Sequence, residues 1–119
     1  MNQQPEINCP EIIVKAADDK KAKDIVVLDM RDVSLIADYF IICHGYSTTQ
    51  VRAISDNIGE KMKERGMMPL RREGVNDAHW ILLDYGHCVV HIFTEEDRNF
   101  YGLERLWGDA KRVEFQLAE

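Results

Sequence analysis

The stretch Trp80–Thr94 (WILLDYGHCVVHIFT) decides the fold. Two apolar runs, Trp80 to Tyr85 and Cys88 to Thr94, flank Gly86, which permits a tight chain reversal, so the segment reads as a β-hairpin. Side chains alternate between the two faces of a strand. Trp80, Leu82 and Asp84 therefore point one way, and Ile81, Leu83 and Tyr85 the other.

Toward the N-terminus, Met67 to Arg72 suggests a third strand, which Pro69 confines to an edge or a strand start. Before it, Ser47-Thr-Thr-Gln50 has the capping-box spacing, and Val51, Ile54, Ile58 and Met62 make one apolar stripe of a helix that ends at Gly66. Ile25–Met30 (IVVLDM) and Tyr39–Cys43 (YFIIC) are short buried strands, separated at 32–38 by a turn of helix or a loop. A first helix near 10–22 starts at Pro10 and carries Ile12, Ile13, Ala16 and Ala17 at helical spacing. Lys20, Lys21 and Lys23 cluster at its negative pole.

Toward the C-terminus, Thr94 caps a helix whose first turn is acidic. Phe100, Leu103, Leu106 and Trp107 supply its apolar face and Gly108 closes it. Val113 and Phe115 either add to a sheet edge or stay loose. The element order predicts an α/β domain over residues 10–108, with a mixed sheet of about five strands and helices mainly on one face. Residues 1–9 are expected as a flexible lead and 109–119 as a tail. The second sheet face is expected to be partly open.

Composition narrows the function. The 119 residues are 45% hydrophobic and 30% charged, the profile of one globular domain. The polar N-terminus lacks the layout of a secretory signal and no apolar run approaches the ~20 residues of a membrane span, so a cytoplasmic location is expected. Cys9, Cys43 and Cys88 are odd in number and form no CxxC pair, which argues for reduced thiols. A formal charge of -6 disfavours binding driven by nucleic-acid phosphates and suits a basic protein partner.

Three constellations could carry chemistry. Gly45-x-Ser47, between a strand and a helix, stands where a nucleotidyltransferase would hold a nucleotide phosphate, with Asp84 as a metal carboxylate. That chemistry needs a second carboxylate, and where an Asp-x-Asp pair would sit the chain reads Val89-Val90-His91-Ile92. A plain helix cap explains Gly45 and Ser47 without it. His79, His87 and His91 could approach one another as zinc ligands, with His87 and His91 on one strand face, yet no thiol or carboxylate follows at a familiar ligand spacing. Cys88 lies inside an apolar strand, where thiols are usually inert. Trp80, Leu82 and Asp84 read as core or as a contact surface, an aromatic anchor beside a charged rim.

The segments DYFIICHGYS (38–47), WILLDYG (80–86), Val90-His91 and RNFYGLERLW (98–107) occur together and in order, and they resemble the Iojap family of ribosomal silencing factors over roughly residues 10–107. The resemblance implies a nucleotidyltransferase-like fold without the metal carboxylates, no catalysis and no cofactor. It also implies a partner: the fourteenth protein of the large ribosomal subunit, bound so that subunit joining is blocked and translation slows when nutrients are short. Family members form homodimers. By position, Trp80, Leu82, Asp84 and Tyr85, with His91, become the expected docking residues, and Glu95 to Asp97 an acidic rim. Arg98, Tyr101, Leu103, Glu104 and Trp107 match the closing motif and are expected to be mainly structural. Thr49 stands where many members carry a basic residue and His87 where an Asp is common.

Overall fold

In a computed structural model, residues 8–114 are described; residues 1–7 of the expected 1–9 lead and Phe115 lie outside them, while Asn8 and Cys9 cap and open the first helix. The chain runs α1 (Cys9–Asp19), β1 (Lys23–Asp29), β2 (Tyr39–Gly45), α2 (Thr48–Glu64), β3 (Arg71–Glu73), β4 (Trp80–Asp84), β5 (Cys88–Thr94), α3 (Glu95–Tyr101), α4 (Leu103–Leu106) and β6 (Lys111–Val113). Six strands form one sheet in the order β3-β4-β5-β2-β1-β6. Only β2 and β5 pair in parallel, in an unbroken register from Tyr39 opposite Cys88 to Gly45 opposite Thr94. The neighbouring pairs β1–β2, β4–β5, β3–β4 and β1–β6 are antiparallel. The mixed α/β class is as expected.

Strand alternation sorts the core into two layers. Val27, Ile41, Cys43, Ile81, Leu83, Val90 and Ile92 face α1 and α2, which contribute Ile13, Ala17, Val51, Ile54, Ile58 and Met62. Leu28, Ile42 and Phe93 face the other way and meet Met30, Leu103 and Trp107. Each fully buried Val, Leu, Ile, Met or Phe side chain among them contributes about 1.5–3 kcal/mol relative to exposure, so the helix side carries most of the hydrophobic stabilisation. The second face is covered only in part.

Several expected details change. The first helix stops at Asp19, because Lys21 takes a positive φ of 63° and Lys23 already opens β1, so no lysine lies in its last turn. Residues 31–37 form turns without a helix, anchored by the Val33 and Ser34 amides donating to the Met30 carbonyl. The third strand shrinks to an exposed edge, with Pro69 outside it. The sixth strand comes from the tail, where Lys111 to Val113 pair with Asp29 to Val27.

The largest correction concerns the last helix. Gly102 adopts the left-handed conformation (φ 57°, ψ 46°) and splits the expected continuous helix into α3 and α4. The apolar stripe splits with it: Leu103 and Trp107 pack on the sheet, whereas Phe100 and Leu106 are exposed. Arg98 holds the break together. Its Nε and Nη2 donate to the two Glu104 carboxylate oxygens at 3.1 and 2.9 Å, and Nη1 donates to the Lys23 carbonyl at 3.2 Å and to His44 Nδ1 at 2.9 Å. One guanidinium thus joins α3, α4, β1 and β2.

Removing one partner of a buried, hydrogen-bonded ion pair costs about 3 kcal/mol or more. Arg98→Ala should lower the unfolding free energy by about that amount in a urea titration. Arg98→Lys should recover little of it, since an ammonium cannot reproduce the fork that grips both Glu104 oxygens.

Candidate protein-docking face

β4 and β5 set the site. Trp80, Leu82 and Asp84 lie on the face away from α1 and α2, with Leu82 opposite His91 and Trp80 opposite Phe93. The Trp80 indole N–H donates to His91 Nδ1 at 3.1 Å. An indole nitrogen only donates, so Nδ1 is the acceptor and the neutral ring carries its proton on Nε2. Burial pushes His91 down to about 4, which keeps it neutral near pH 7. Its Nε2 is buried without a protein hydrogen-bond partner.

Aromatic rings surround this pair. Trp80 lies 4.9 Å from Phe93 and 4.6 Å from Tyr101 between ring centroids, and His91 lies edge-on to Phe40 at 4.8 Å. Trp107 meets Phe40 at 6.0 Å and closes the cluster from the C-cap of α4. Such contacts fix the ring positions beyond what area burial alone gives. Leu82 is only half-buried and belongs to neither core layer. Phe100 and Tyr101 extend the apolar surface beside Trp80 from α3.

The expected docking residues separate into groups. Trp80, Leu82, Asp84 and His91 share the face, but His91 is buried and acts through the Trp80 indole. Asp84 is largely occupied: Oδ1 accepts from the Gly86 amide at 2.8 Å and Oδ2 lies 3.4 Å from Arg71 Nη2. Tyr85 points to the opposite side, into the helix-side layer, and does not join them. Glu95 is exposed on the first turn of α3, while the half-buried Asp97 receives the Thr94 hydroxyl cap through its amide at 3.4 Å. Phe100 and Tyr101 were missed as surface residues, because helical spacing assigns the segment to one continuous buried stripe. Gly102 was the available signal.

The nucleotide constellation does not assemble. Gly45 pairs with Thr94 and Asp84 with Val89, five residues apart on β5, which places Asp84 about 16 Å from Gly45 along the sheet. Ser47 caps α2 by accepting from the Gln50 amide at 3.1 Å. The Gln50 side chain fills the cradle above Gly45: Oε1 accepts from the Tyr46 amide at 2.7 Å and Nε2 donates to the Lys20 and Lys21 carbonyls at 3.1 Å each. Two of the amides a phosphate could use, those of Tyr46 and Gln50, are therefore engaged by the protein. The histidines also disperse, with His87 exposed in a turn beside Asp38, His79 exposed and His91 buried, so His87 and His91 do not share a strand face. Among the described residues no three His, Cys, Asp or Glu side chains cluster as metal ligands. No helix among them is long and apolar enough to cross a membrane.

Comparison with known proteins agrees with this fold. The profile of the family "Ribosomal silencing factor during starvation" matches residues 3–119. The chain belongs to the ribosomal silencing factor family. It is 49% identical over 100 residues to the ribosomal silencing factor of Bacillus subtilis, covering 84% of this chain and 85% of that one. The chloroplast Iojap protein of maize is 38% identical over 105 residues, covering 86% of this chain and 44% of that longer protein. A crystal structure from Bacillus halodurans superposes with a TM-score of 0.82 at 41% identity, covering 92% of this chain and all of the other. Membership in this silencing-factor family supports a ribosome-associated role in silencing translation.

Acid should weaken the fold in two stages. His91 and His44 are both held below the ordinary 6.5, His91 by burial and His44 by burial and then by the Arg98 charge. The unfolded chain takes up protons near 6.5 while the folded chain does not, so stability falls as pH drops from 6.5 toward 4. For His91 the loss is about 3 kcal/mol across that window. Glu104 is lowered below 4.5, mainly by its hydrogen bond to Arg98, so its contribution is present above 4.5 and lost as pH falls through its folded value. Urea titrations at stepped pH should show the first decline, and His91→Asn, which keeps an acceptor for Trp80, should lessen it and leave the His44 part.

Proposed function

We propose that the protein represses translation as a binding factor, without turnover: the uncovered face of β4 docks on the large ribosomal subunit through its fourteenth protein. The bound factor then occupies the surface that the small subunit needs, and joining fails by steric exclusion. The observation that carries this reading is Leu82, an apolar, half-exposed side chain packed into neither core layer, set between Trp80 and Asp84. Trp80 is pre-positioned by the His91 hydrogen bond and by Phe93 and Tyr101, so little side-chain freedom is lost on binding. The formal charge of -6 and the exposed Glu95 suit a basic ribosomal protein better than ribosomal RNA.

The reading assigns no cofactor and a cytoplasmic workplace. It also assigns a homodimer to the free protein. Leu35, Ile36, Phe100 and Leu106 are exposed and supply apolar surface for self-association.

Leu82→Glu is the discriminating variant, since Leu82 supports neither core layer while Trp80→Ala would also release the His91 ring. Sedimentation with isolated subunits should show the wild type travelling with large subunits alone and depleting joined ribosomes. Leu82→Glu should bind about tenfold or more weakly with an unchanged unfolding midpoint. Undiminished binding by this variant would move the docking surface elsewhere; binding to neither subunit by the wild type would remove the proposed function.

A further inference from the structure

Cys9, Met67 and Cys88 bring three sulfur atoms together on the helix side of the sheet. Cys9 is the first residue of α1, half-buried, and its thiol donates to Met67 Sδ at 3.6 Å. Cys88 is the first residue of β5 and is buried. Both thiols line one open cleft of about 550 Å³, whose other walls include Asn8, Asp38 and His87. The cleft is wide enough to admit a small oxidant. α1 packs against β5, and Cys9 is near enough to Cys88 to act on its thiol.

The two partners differ in freedom. Cys88 is fixed from both sides: its carbonyl accepts from the Tyr85 amide at 2.8 Å, and the preceding His87 carbonyl accepts from the Asp38 and Tyr39 amides at 2.8 and 2.9 Å. Cys9 rides on the first turn of α1, where Asn8 caps the Glu11 amide at 3.4 Å. Burial, and then the neighbouring Cys9, push the Cys88 thiol up. Cys88 is therefore a poor first target, and the more accessible Cys9 is the thiol that meets solvent. Cys43, fully buried in the middle of β2 and pushed up to about 12 by burial, is an internal control.

We propose that Cys9 and Cys88 form a reversible intramolecular disulfide, with Cys9 reacting first with a peroxide and Cys88 resolving it. The Cys9 thiolate attacks one oxygen of hydrogen peroxide, the O–O bond breaks, and the departing hydroxide takes up a proton as water, leaving a sulfenic acid on Cys9. The Cys88 sulfur then attacks the Cys9 sulfur. The S–O bond breaks, the oxygen leaves with the proton Cys88 gives up, and a second water forms. Two thiols lose two electrons and the peroxide gains them. The bond closes a loop from residue 9 to residue 88, which holds α1 through β4, and so restricts the unfolded chain. Because Cys88 points toward α1 and α2, the link leaves the Trp80 face untouched.

The test uses the full-length reduced protein, treated with equimolar hydrogen peroxide, quenched with an alkylating agent under denaturing conditions, and mapped by mass spectrometry without reductant. The expected product has lost two hydrogens, retains one alkylatable thiol at Cys43, and yields a peptide joining Cys9 to Cys88. Its thermal midpoint should rise and return on adding dithiothreitol. Cys43→Ala should preserve all of this and Cys9→Ser should abolish it. Accumulation of a Cys9 sulfinic acid, a link between two copies through Cys9, or three thiols still free would each overturn the proposal, and because the map is read on the wild type, misfolding of a Cys88 variant cannot obscure it.

Discussion

The parallel pairing of β2 with β5 is the constraint from which the rest of the structure follows. Two parallel neighbours cannot be joined by a tight turn, so the chain between them must cross over. Here that crossover is α2 followed by the β3–β4 ribbon, and β4 returns to pair antiparallel with β5. Both central strands are covered on two sides, which explains why YFIIC and CVVHIF read as nearly continuous apolar runs. The same register puts Gly45 and Thr94 side by side, so α2 and α3 start from one end of the sheet. Asp84 is left at the other end. A phosphate site at Gly45 and a metal carboxylate at Asp84 are thus incompatible within this register.

Coverage of the second face depends on polar chemistry more than on area. α3 and α4 contain eleven residues between them, too few to hold a position by propensity alone. Arg98 supplies what length does not, by satisfying Glu104, His44 and the Lys23 carbonyl at once. Because a guanidinium only donates, His44 accepts through Nδ1 and stays neutral beside the cation. Arg112 adds a weaker, more exposed contact to Glu104 at 3.9 Å, drawing the β6 end toward the same carboxylate.

The sequence was legible wherever a period was unbroken. The α2 stripe, the hairpin faces and the caps at Ser47 and Thr94 all follow from spacing, and each is found. The capping box is altered in one respect, since Gln50 reaches the Tyr46 amide and two carbonyls after α1, a tertiary contact that no local pattern encodes. The positive φ at Lys21 was equally hidden, because a periodic stripe carries no information on where the backbone turns left-handed, whereas at Gly102 the glycine itself was the signal. For the face itself, alternation placed Trp80, Leu82 and Asp84 together and Tyr85 opposite, so including Tyr85 with them set family position against pleat geometry. The pleat prevailed.

On the β4 face the rigid and the exposed parts are different residues, which suits the proposed docking. The Trp80–His91 bond, with Phe93, Phe40 and Tyr101 around it, immobilises two polar aromatic rings at the cost of a buried imidazole that must stay uncharged. Leu82 sits on that foundation without contributing to either core layer, and its environment can therefore change on binding while the fold stays as it is. A surface built from Leu82 alone would be adaptable but weak, and one built from Trp80 alone would be strong but structurally obligatory. Placed two residues apart on one strand, they would, in the proposed docking, let an anchor and a replaceable contact act on the same partner, which is the division of labour expected of a factor that must bind tightly and still be released.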